Sequence, residues 1–153
     1  MTTQKDDKMK IEHITEVDES TVEIFKKLMP QLTGKDEHPS LEELRRVIES
    51  DERFLFFATE EGKAIGTLTL VFYQLPSGLK AWIEDVIVDE QARGKGVATA
   101  LLKHALQVAR DRGALKADLT SMPWRVAANR LYQKMGFEKR ESNMYRYHFT
   151  DNQ

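Results

Sequence analysis

The sequence predicts a single α/β domain in which a mixed, mostly antiparallel sheet is flanked by helices. Its 153 residues are close to the commonest domain size and are enough for one hydrophobic core. Runs rich in aromatic and β-branched residues alternate with runs whose apolar residues recur at helical spacing. In chain order these runs predict β-α-α-β-β-β-α-β-α-β-β, and the domain is expected to span residues 9–150.

The first part of the chain predicts one strand and two helices. Residues 1–8 are polar and are expected to be disordered, and Lys10–Thr15 shows the alternation of a first strand. Asp18 is a suitable N-cap for a helix through Met29 that Pro30 ends. Ser40 and Glu43 have the spacing of a capping box, which predicts that a second helix starts there.

Three consecutive strands are then predicted to form an antiparallel meander, with turns where glycine and proline cluster. The predicted strands are Arg53–Thr59, Ala64–Tyr73 and one that begins at Trp82 after a loop holding Pro76, Ser77 and Gly78. The remaining predicted elements are a helix from Val97 to a C′ glycine at Gly113, a strand at Ala114–Thr120, a helix at Arg125–Met135, and a closing hairpin of Phe137–Lys139 with Met144–Phe149.

Composition excludes several functional classes. The net charge of −2 gives no overall attraction to nucleic acid or to an anionic membrane. The absence of cysteine excludes disulfides, thiolate metal sites and cysteine nucleophiles. The four histidines are too scattered to indicate a metal site. The polar N-terminus lacks a signal-peptide core, and no apolar run reaches membrane-spanning length, so a cytoplasmic protein is expected.

The stretch from Trp82 to Leu102 predicts an anion site. A buried strand leads through Asp89 into the glycine loop Arg93-Gly94-Lys95-Gly96, and a helix follows from Val97. Free N–H groups and the helix dipole favour an anion at such a helix start. No acidic residue lies between positions 91 and 110, which indicates that a ligand supplies the negative charge. The alternative is a C-capped turn with a solvated basic face.

Two segments resemble signatures of the GNAT family of N-acetyltransferases. Residues 91–98, QARGKGVA, are similar to the family's Q/R-x-x-G-x-G/A acyl-CoA signature, and residues 128–137, ANRLYQKMGF, are similar to A-x-x-L-Y-x-K-x-G-F. The resemblance covers nearly the whole chain and implies acetyl-CoA as co-substrate, with no metal. It also implies a splayed pair of parallel strands that forms the acyl-CoA cleft. The implied CoA-binding residues are Gln91, Arg93, Gly94, Lys95, Gly96, Val97 and Ala98, together with the backbone of Val86, Ile87 and Val88.

Glu84 and Asp85 are candidates for the general base. They are two carboxylates inside an otherwise apolar strand, and regular alternation would place them on opposite faces. In similar acetyltransferases the Glu of such a pair faces the acceptor, so Glu84 is the first candidate and Asp85 the second. The alternative is that one of them ends the strand or pairs with a nearby Arg or Lys.

Tyr132 matches the general acid of the family, which assists the departing thiolate of CoA. Without the flanking motif, a helix-borne aromatic packed on the sheet would be the better interpretation. The chain departs from the family at Arg125, where many relatives carry an Asn that bonds the pantetheine. Asn129 could substitute for it, or Arg125 could contact the CoA phosphates.

The acceptor is expected to be a primary amine of a small molecule or peptide. The resemblance implies that residues 31–39 and 74–80 help to form its pocket, and Asp36, Glu37 and His38 could attract a cation, although loop charges are usually solvated. A homodimer is possible. The competing hypothesis is a non-catalytic acetyl-CoA-binding module of the same fold. A nucleotide-binding protein is disfavoured because neither a P-loop nor a G-x-G-x-x-G motif is present.

Overall fold

The computed structural model describes residues 9–150, so the prediction for residues 1–8 lies outside the described residues. The chain divides into two compact units, of which the first ends at Thr120 and the second begins at Ser121. The first unit contains β1 Lys10–His13, α1 Glu19–Thr33, α2 Leu41–Ile48, β2 Arg53–Glu60, β3 Lys63–Leu75, β4 Gly78–Val88, a 3-10 turn Glu90–Ala92, α3 Val97–Asp111 and β5 Ala117–Asp118. The second unit contains α4 Val126–Lys134.

The five strands form one open, mixed sheet in the order β1-β2-β3-β4-β5. Strands β1 to β4 are antiparallel neighbours, and β5 is parallel to β4. The predicted meander and the predicted mixed sheet are therefore confirmed. The pairing of β5 with β4 covers only Ala81 with Ala117 and Trp82 with Asp118.

Helices cover both faces of this sheet. On one face Leu55 and Phe57 of β2 form a buried cluster with Val22 and Phe25 of α1 and Leu44 of α2. The side chain of Phe56 points to the opposite face of the sheet, and its ring centroid lies 4.9 Å from that of His104 on α3. The alternation of β2 thus supplies core residues to both helical layers.

Gly66 of β3 permits the close approach of α3 to the sheet. A Cβ atom at this position would lie 2.9 Å from Val97 Cγ1 and 3.2 Å from Leu101 Cδ1. Both contacts are shorter than side chains normally tolerate, so a small residue is needed here. The first turn of α3 is consequently held against the strand that precedes β4.

Helix α1 extends past the predicted end. Pro30 lies inside the helix, which continues to Thr33 and is closed by Gly34 in the left-handed conformation. The prediction that Pro30 ends the helix was wrong. Proline lacks an N–H donor, but Pro30 lies in the last turn, and the Gly34 N–H still bonds to the Pro30 carbonyl. The loop before α2 therefore starts at Gly34.

Two strand predictions were also wrong. The predicted strand at Ala114–Thr120 is reduced to Ala117–Asp118, and the predicted closing hairpin is absent, since residues 137–150 contain no strand. Strand-like residues form a strand only where a neighbour completes the ladder, and none pairs with these residues in the described part of the chain. In addition, β3 extends to Leu75 and β4 begins at Gly78, so the connection between these two strands is shorter than predicted.

Candidate functional site

The start of α3 has backbone donors that no protein group uses. Gly94 and Gly96 adopt φ angles of 80° and 78°, which side chains rarely tolerate, and Gly96 is the N-cap without a side-chain hydrogen bond. The Ala100 N–H donates to the Gly96 carbonyl at 3.0 Å. Among the described residues, the N–H groups of Val97, Ala98 and Thr99 have no acceptor. Three N–H groups are therefore directed out of the helix start.

The charges around these donors have one sign. The first turn of α3 contains no acidic residue, and Arg93 and Lys95 are exposed immediately before it. Within residues 9–150, neither side chain takes part in an ion pair. Positive charge, a helix dipole and open N–H groups coincide at one place, which is the arrangement that binds phosphate.

Strand β4 has one edge that is open beyond its first half. Its far edge bonds to β5 through the Ala81 N–H and the Lys116 carbonyl at 2.9 Å, and the ladder stops at Trp82. From Ile83 to Val88 no strand pairs with this edge in the part of the chain that the structure describes. The predicted residues Val86, Ile87 and Val88 thus lie where an extended ligand could add to the sheet.

A β-bulge lies at Asp85. The register of β3 and β4 shifts by one residue, from Thr69 opposite Glu84 to Thr67 opposite Ile87. Asp85 has a φ of 50°, a left-handed conformation that Asp tolerates better than most residues. The bulge interrupts the regular alternation on which the prediction of opposite faces for Glu84 and Asp85 depends. Thr69, the neighbour of Glu84 across the ladder, lines the same cavity as Asp85.

That cavity has a volume of about 520 Å³ and lies between α1, α2 and the sheet. Its apolar wall comes from Phe25 and Met29 of α1, Leu44 and Val47 of α2, and Leu55 of β2. Its polar lining includes Glu37 and His38, two of the three loop residues that the sequence indicated, with Asp85 as the carboxylate of the sheet. Such a size suits a small molecule.

Asp85 and Glu84 differ in their surroundings. Both side chains are exposed. Nevertheless, the protein atoms around Asp85 remove enough water to raise the pKa of its carboxyl above the ordinary value. Asp85 has no hydrogen bond or ion pair with any described residue, so the alternative that it pairs with an Arg or Lys does not hold. A carboxylate with a raised pKa and no partner is suited to accept a proton.

Sequence reasoning missed Asp89, which anchors the turn before the glycine loop. The Asp89 side chain is buried, and its Oδ2 lies 2.9 Å from Lys27 Nζ on α1. Gln31 Nε2 donates to Asp89 Oδ1 at 3.5 Å, and the Glu90 N–H donates to Gln31 Oε1 at 2.9 Å. The hydrogen bond from Lys27 is the largest of the effects that lower the pKa of Asp89. An Asp at the end of an apolar strand was the available signal, but its partners on α1 are 58 or more residues away.

The second unit carries the remaining candidates. Tyr132 lies on α4 with its ring 5.8 Å from that of Phe137, and burial raises its pKa although Arg125 opposes this. Arg125 is the N-cap of α4. Asn129 Nδ2 donates to the carbonyls of Met122 at 3.0 Å and Arg125 at 2.9 Å, so both of its amide hydrogens hold the helix start.

The described residues offer neither a metal cluster nor a membrane-spanning helix. Residues 9–150 contain no group of three or more His, Cys, Asp or Glu side chains that could hold a metal ion. No helix among these residues combines the length and apolar character needed to cross a bilayer.

Known proteins resemble this chain along most of its length. Residues 20–137 match the family model described as the acetyltransferase (GNAT) family. N-acetyltransferase 8B from Rattus norvegicus is 33% identical over 105 residues, which are 67% of this chain and 47% of that protein. The chain thus spans about half the length of this curated relative.

Solved structures share the fold. An aminoglycoside acetyltransferase from an uncultured soil metagenomic sample, in complex with trehalose, superposes with a TM-score of 0.82 and 20% identity, covering 94% of this chain and 97% of that one. The aminoglycoside N-acetyltransferase AAC(6')-Iy in complex with CoA gives a TM-score of 0.76 and 21% identity, covering 92% and 95%. At these identities the likeness establishes the fold alone.

Proposed function

Because this chain belongs to the acetyltransferase (GNAT) family, we propose that it transfers an acetyl group from acetyl-CoA to a primary amine. The observation that carries this proposal is the start of α3, where three unused N–H groups, Arg93 and Lys95 coincide and the first turn of the helix has no acidic residue. Acetyl-CoA carries a pyrophosphate and a 3′-phosphate. These groups would supply the negative charge that the protein omits there.

The residues present fit this co-substrate. The amides of residues 93–98 and the two basic side chains would hold the phosphates, with Gln91 in the turn before them. The unpaired edge of β4 at Val86, Ile87 and Val88 would hold the amide-containing pantetheine arm by backbone hydrogen bonds. When bound, acetyl-CoA supplies a thioester whose acyl carbon joins the amine nitrogen as its C–S bond breaks.

Asp85 is proposed as the general base, and Glu84 becomes the second candidate. An alkylamine has a reference pKa of about 10.4, so its neutral form at pH 7 costs about 4–5 kcal/mol. Because the pKa of the Asp85 carboxyl is raised, it is closer to the pKa of the amine than that of an ordinary carboxyl. The Asp85 side chain also lines the cavity without a partner among the described residues. Glu84 lies across the ladder from Thr69 and could act through water.

Tyr132 is proposed as the donor to the leaving sulfur, on the strength of the motif that contains it. Burial raises its pKa, so its hydroxyl keeps its proton throughout the neutral range. Arg125 and Asn129 are proposed to contact CoA, Arg125 through its charge and Asn129 through the amide oxygen that its hydrogen bonds leave available.

The proposal is tested by measuring free thiol release from acetyl-CoA with a panel of amines. We expect wild-type protein to release thiol only when an amine is present. Tyr132→Phe should lose at least tenfold in kcat while binding acetyl-CoA as tightly as before. Thiol release from no amine, combined with tight acetyl-CoA binding, would instead identify a non-catalytic acetyl-CoA-binding module.

The two carboxylates are separated by matched amide variants. Asp85→Asn keeps a residue that tolerates the left-handed backbone, and we expect it to lose about 100-fold or more in kcat. Glu84→Gln is the control and should lose less than tenfold. If Glu84→Gln is the more damaged variant, then the assignment of the base to Asp85 is wrong.

A further inference from the structure

Most of the surface that lines the cavity beside Asp85 is apolar, although polar and charged side chains also contribute to it. Phe25, Leu44 and Leu55 are almost completely buried around it, and Met29 and Val47 are half-buried at its surface. Apolar side chains from two helices and one strand therefore form a continuous surface. A ligand body with many hydroxyl groups would lose hydrogen bonds to water against this wall.

Two of the charged side chains that line the cavity, Glu43 and Arg46, are engaged with the protein. Glu43 Oε1 accepts from the Ser40 N–H at 3.3 Å in the capping box of α2. Arg46 Nη2 lies 3.1 Å from Glu42 Oε1. The one arginine that lines the cavity is thus already paired with a carboxylate, whereas Asp85 has no partner among the described residues.

The charge of the side chains that line the cavity also determines which acceptors are repelled. Glu37, Glu43 and Asp85 bring three carboxylates to the cavity, against the single guanidinium of Arg46. A substrate with its own carboxylate would meet net negative charge and a paired arginine. A substrate with one amine and an apolar body would place the amine at Asp85 and bury the rest.

We propose that the acceptor is a primary amine on an apolar body, an alkylamine or aralkylamine, rather than an amino sugar or an amino acid. This inference rests on the proposed function, because it assigns the substrate class of the same site. The apolar wall provides affinity in proportion to the carbon surface that it covers. Asp85 receives the nitrogen, and the negative lining excludes carboxylates.

A homologous series of amines tests this directly, with the intact chain, saturating acetyl-CoA and detection of released thiol. From ethylamine to hexylamine, kcat/KM should rise about fourfold for each added methylene until the cavity is full. Pentylamine should exceed norleucine, which is the same amine with an α-carboxylate, by at least tenfold. Hexylamine should exceed glucosamine by at least tenfold.

A wall variant supplies an independent readout. Val47→Thr keeps the side-chain shape and replaces one methyl group with a hydroxyl, and it should lower kcat/KM for hexylamine about threefold to tenfold, by more than it lowers that for ethylamine, while the Kd of acetyl-CoA stays the same.

The two proposals fail in different ways. If thiol is released but the alkylamine series is flat, or if glucosamine or norleucine is preferred, then the apolar-acceptor inference is overturned and the transferase stands. If no amine of any class releases thiol, then the proposed function itself is overturned.

Discussion

Helices α2 and α3 begin differently, although each leaves the same N–H groups without helical partners. At α2 the Ser40 side chain accepts from the Glu43 N–H at 3.1 Å, the Glu43 carboxylate accepts from the Ser40 N–H, and Glu42 adds a second acid to the first turn. At α3 the N-cap is Gly96, no side chain caps the helix, and the first turn has no acid. The protein thus completes the start of α2 with its own side chains and leaves that of α3 open.

The position of α3 is instead fixed from outside the helix. Asp89, Lys27 and Gln31 tie the 3-10 turn before the glycine loop to α1, and Gly66 allows Val97 to pack closely on β3. A helix start that is rigidly placed but uncapped suits a site for an anionic ligand. A missing cap is therefore informative when the surrounding contacts show that the helix is otherwise well supported.

Charge reversal at the glycine loop should have the largest effect. In Arg93→Glu/Lys95→Glu two attractive charges become repulsive at the proposed phosphate site, so the affinity for acetyl-CoA should fall at least 100-fold by calorimetry. Lys103→Glu/Arg110→Glu makes the same change in net charge further along α3 and should change the affinity less than threefold. Equal losses in both variants would mean that only overall charge matters.

Removing the anchor should reduce stability. Asp89→Asn weakens the pairing with Lys27 and should lower the free energy of unfolding by about 1–3 kcal/mol in chemical denaturation. Because the pKa of Asp89 is lowered on folding, its contribution is complete above the ordinary carboxyl value of 3.8 and is lost as the pH falls through the lower folded pKa. The difference between wild type and variant should therefore shrink at acid pH; a constant difference would show that the charge is not involved.

Placing an acidic residue in the first turn of α3, as in α2, should weaken the binding of acetyl-CoA without lowering the stability of the protein. Thr99 occupies the N3 position of α3, as Glu43 does in α2. Thr99→Glu should weaken acetyl-CoA binding about tenfold or more and leave the melting temperature unchanged or slightly higher, since an acid there favours the helix dipole. Thr99→Gln is the uncharged control. Tight binding by Thr99→Glu would contradict an anion site at this turn.

The opposite change at α2 should affect stability alone. Ser40→Ala removes the capping hydroxyl and should lower the free energy of unfolding by about 1 kcal/mol, with no change in the Kd of acetyl-CoA. Ser40→Thr retains the cap and should stay close to wild type in both measurements. A weaker Kd in Ser40→Ala would indicate that the two helix starts are not independent.

Local signals predicted much of the fold. The capping box at Ser40, the N-cap at Asp18 and the glycines that follow α3 and α4 act within a few residues, so the helices lie close to their predicted positions. The open start of α3 could be recognised for the same reason, because missing acids and a missing cap are visible in the sequence itself.

Features that depend on distant partners could not be predicted. The bulge at Asp85 is a matter of register between β3 and β4, and nothing within the strand indicates where the extra residue falls. The ion pair of Asp89 with Lys27 joins residues far apart in the chain, and the short β5 reflects where pairing stops. The preference for Asp85 over Glu84 as the base follows from that unpredicted bulge.

The most direct test of the anion site at α3 is an amide chemical-shift titration of the intact chain with acetyl-CoA. We predict saturable binding in which the N–H signals of Gly94, Gly96, Val97, Ala98 and Thr99 move the most, while those at the start of α2 remain in place. Saturable binding that leaves the signals of residues 94–99 unchanged, or no binding at all, would contradict this prediction.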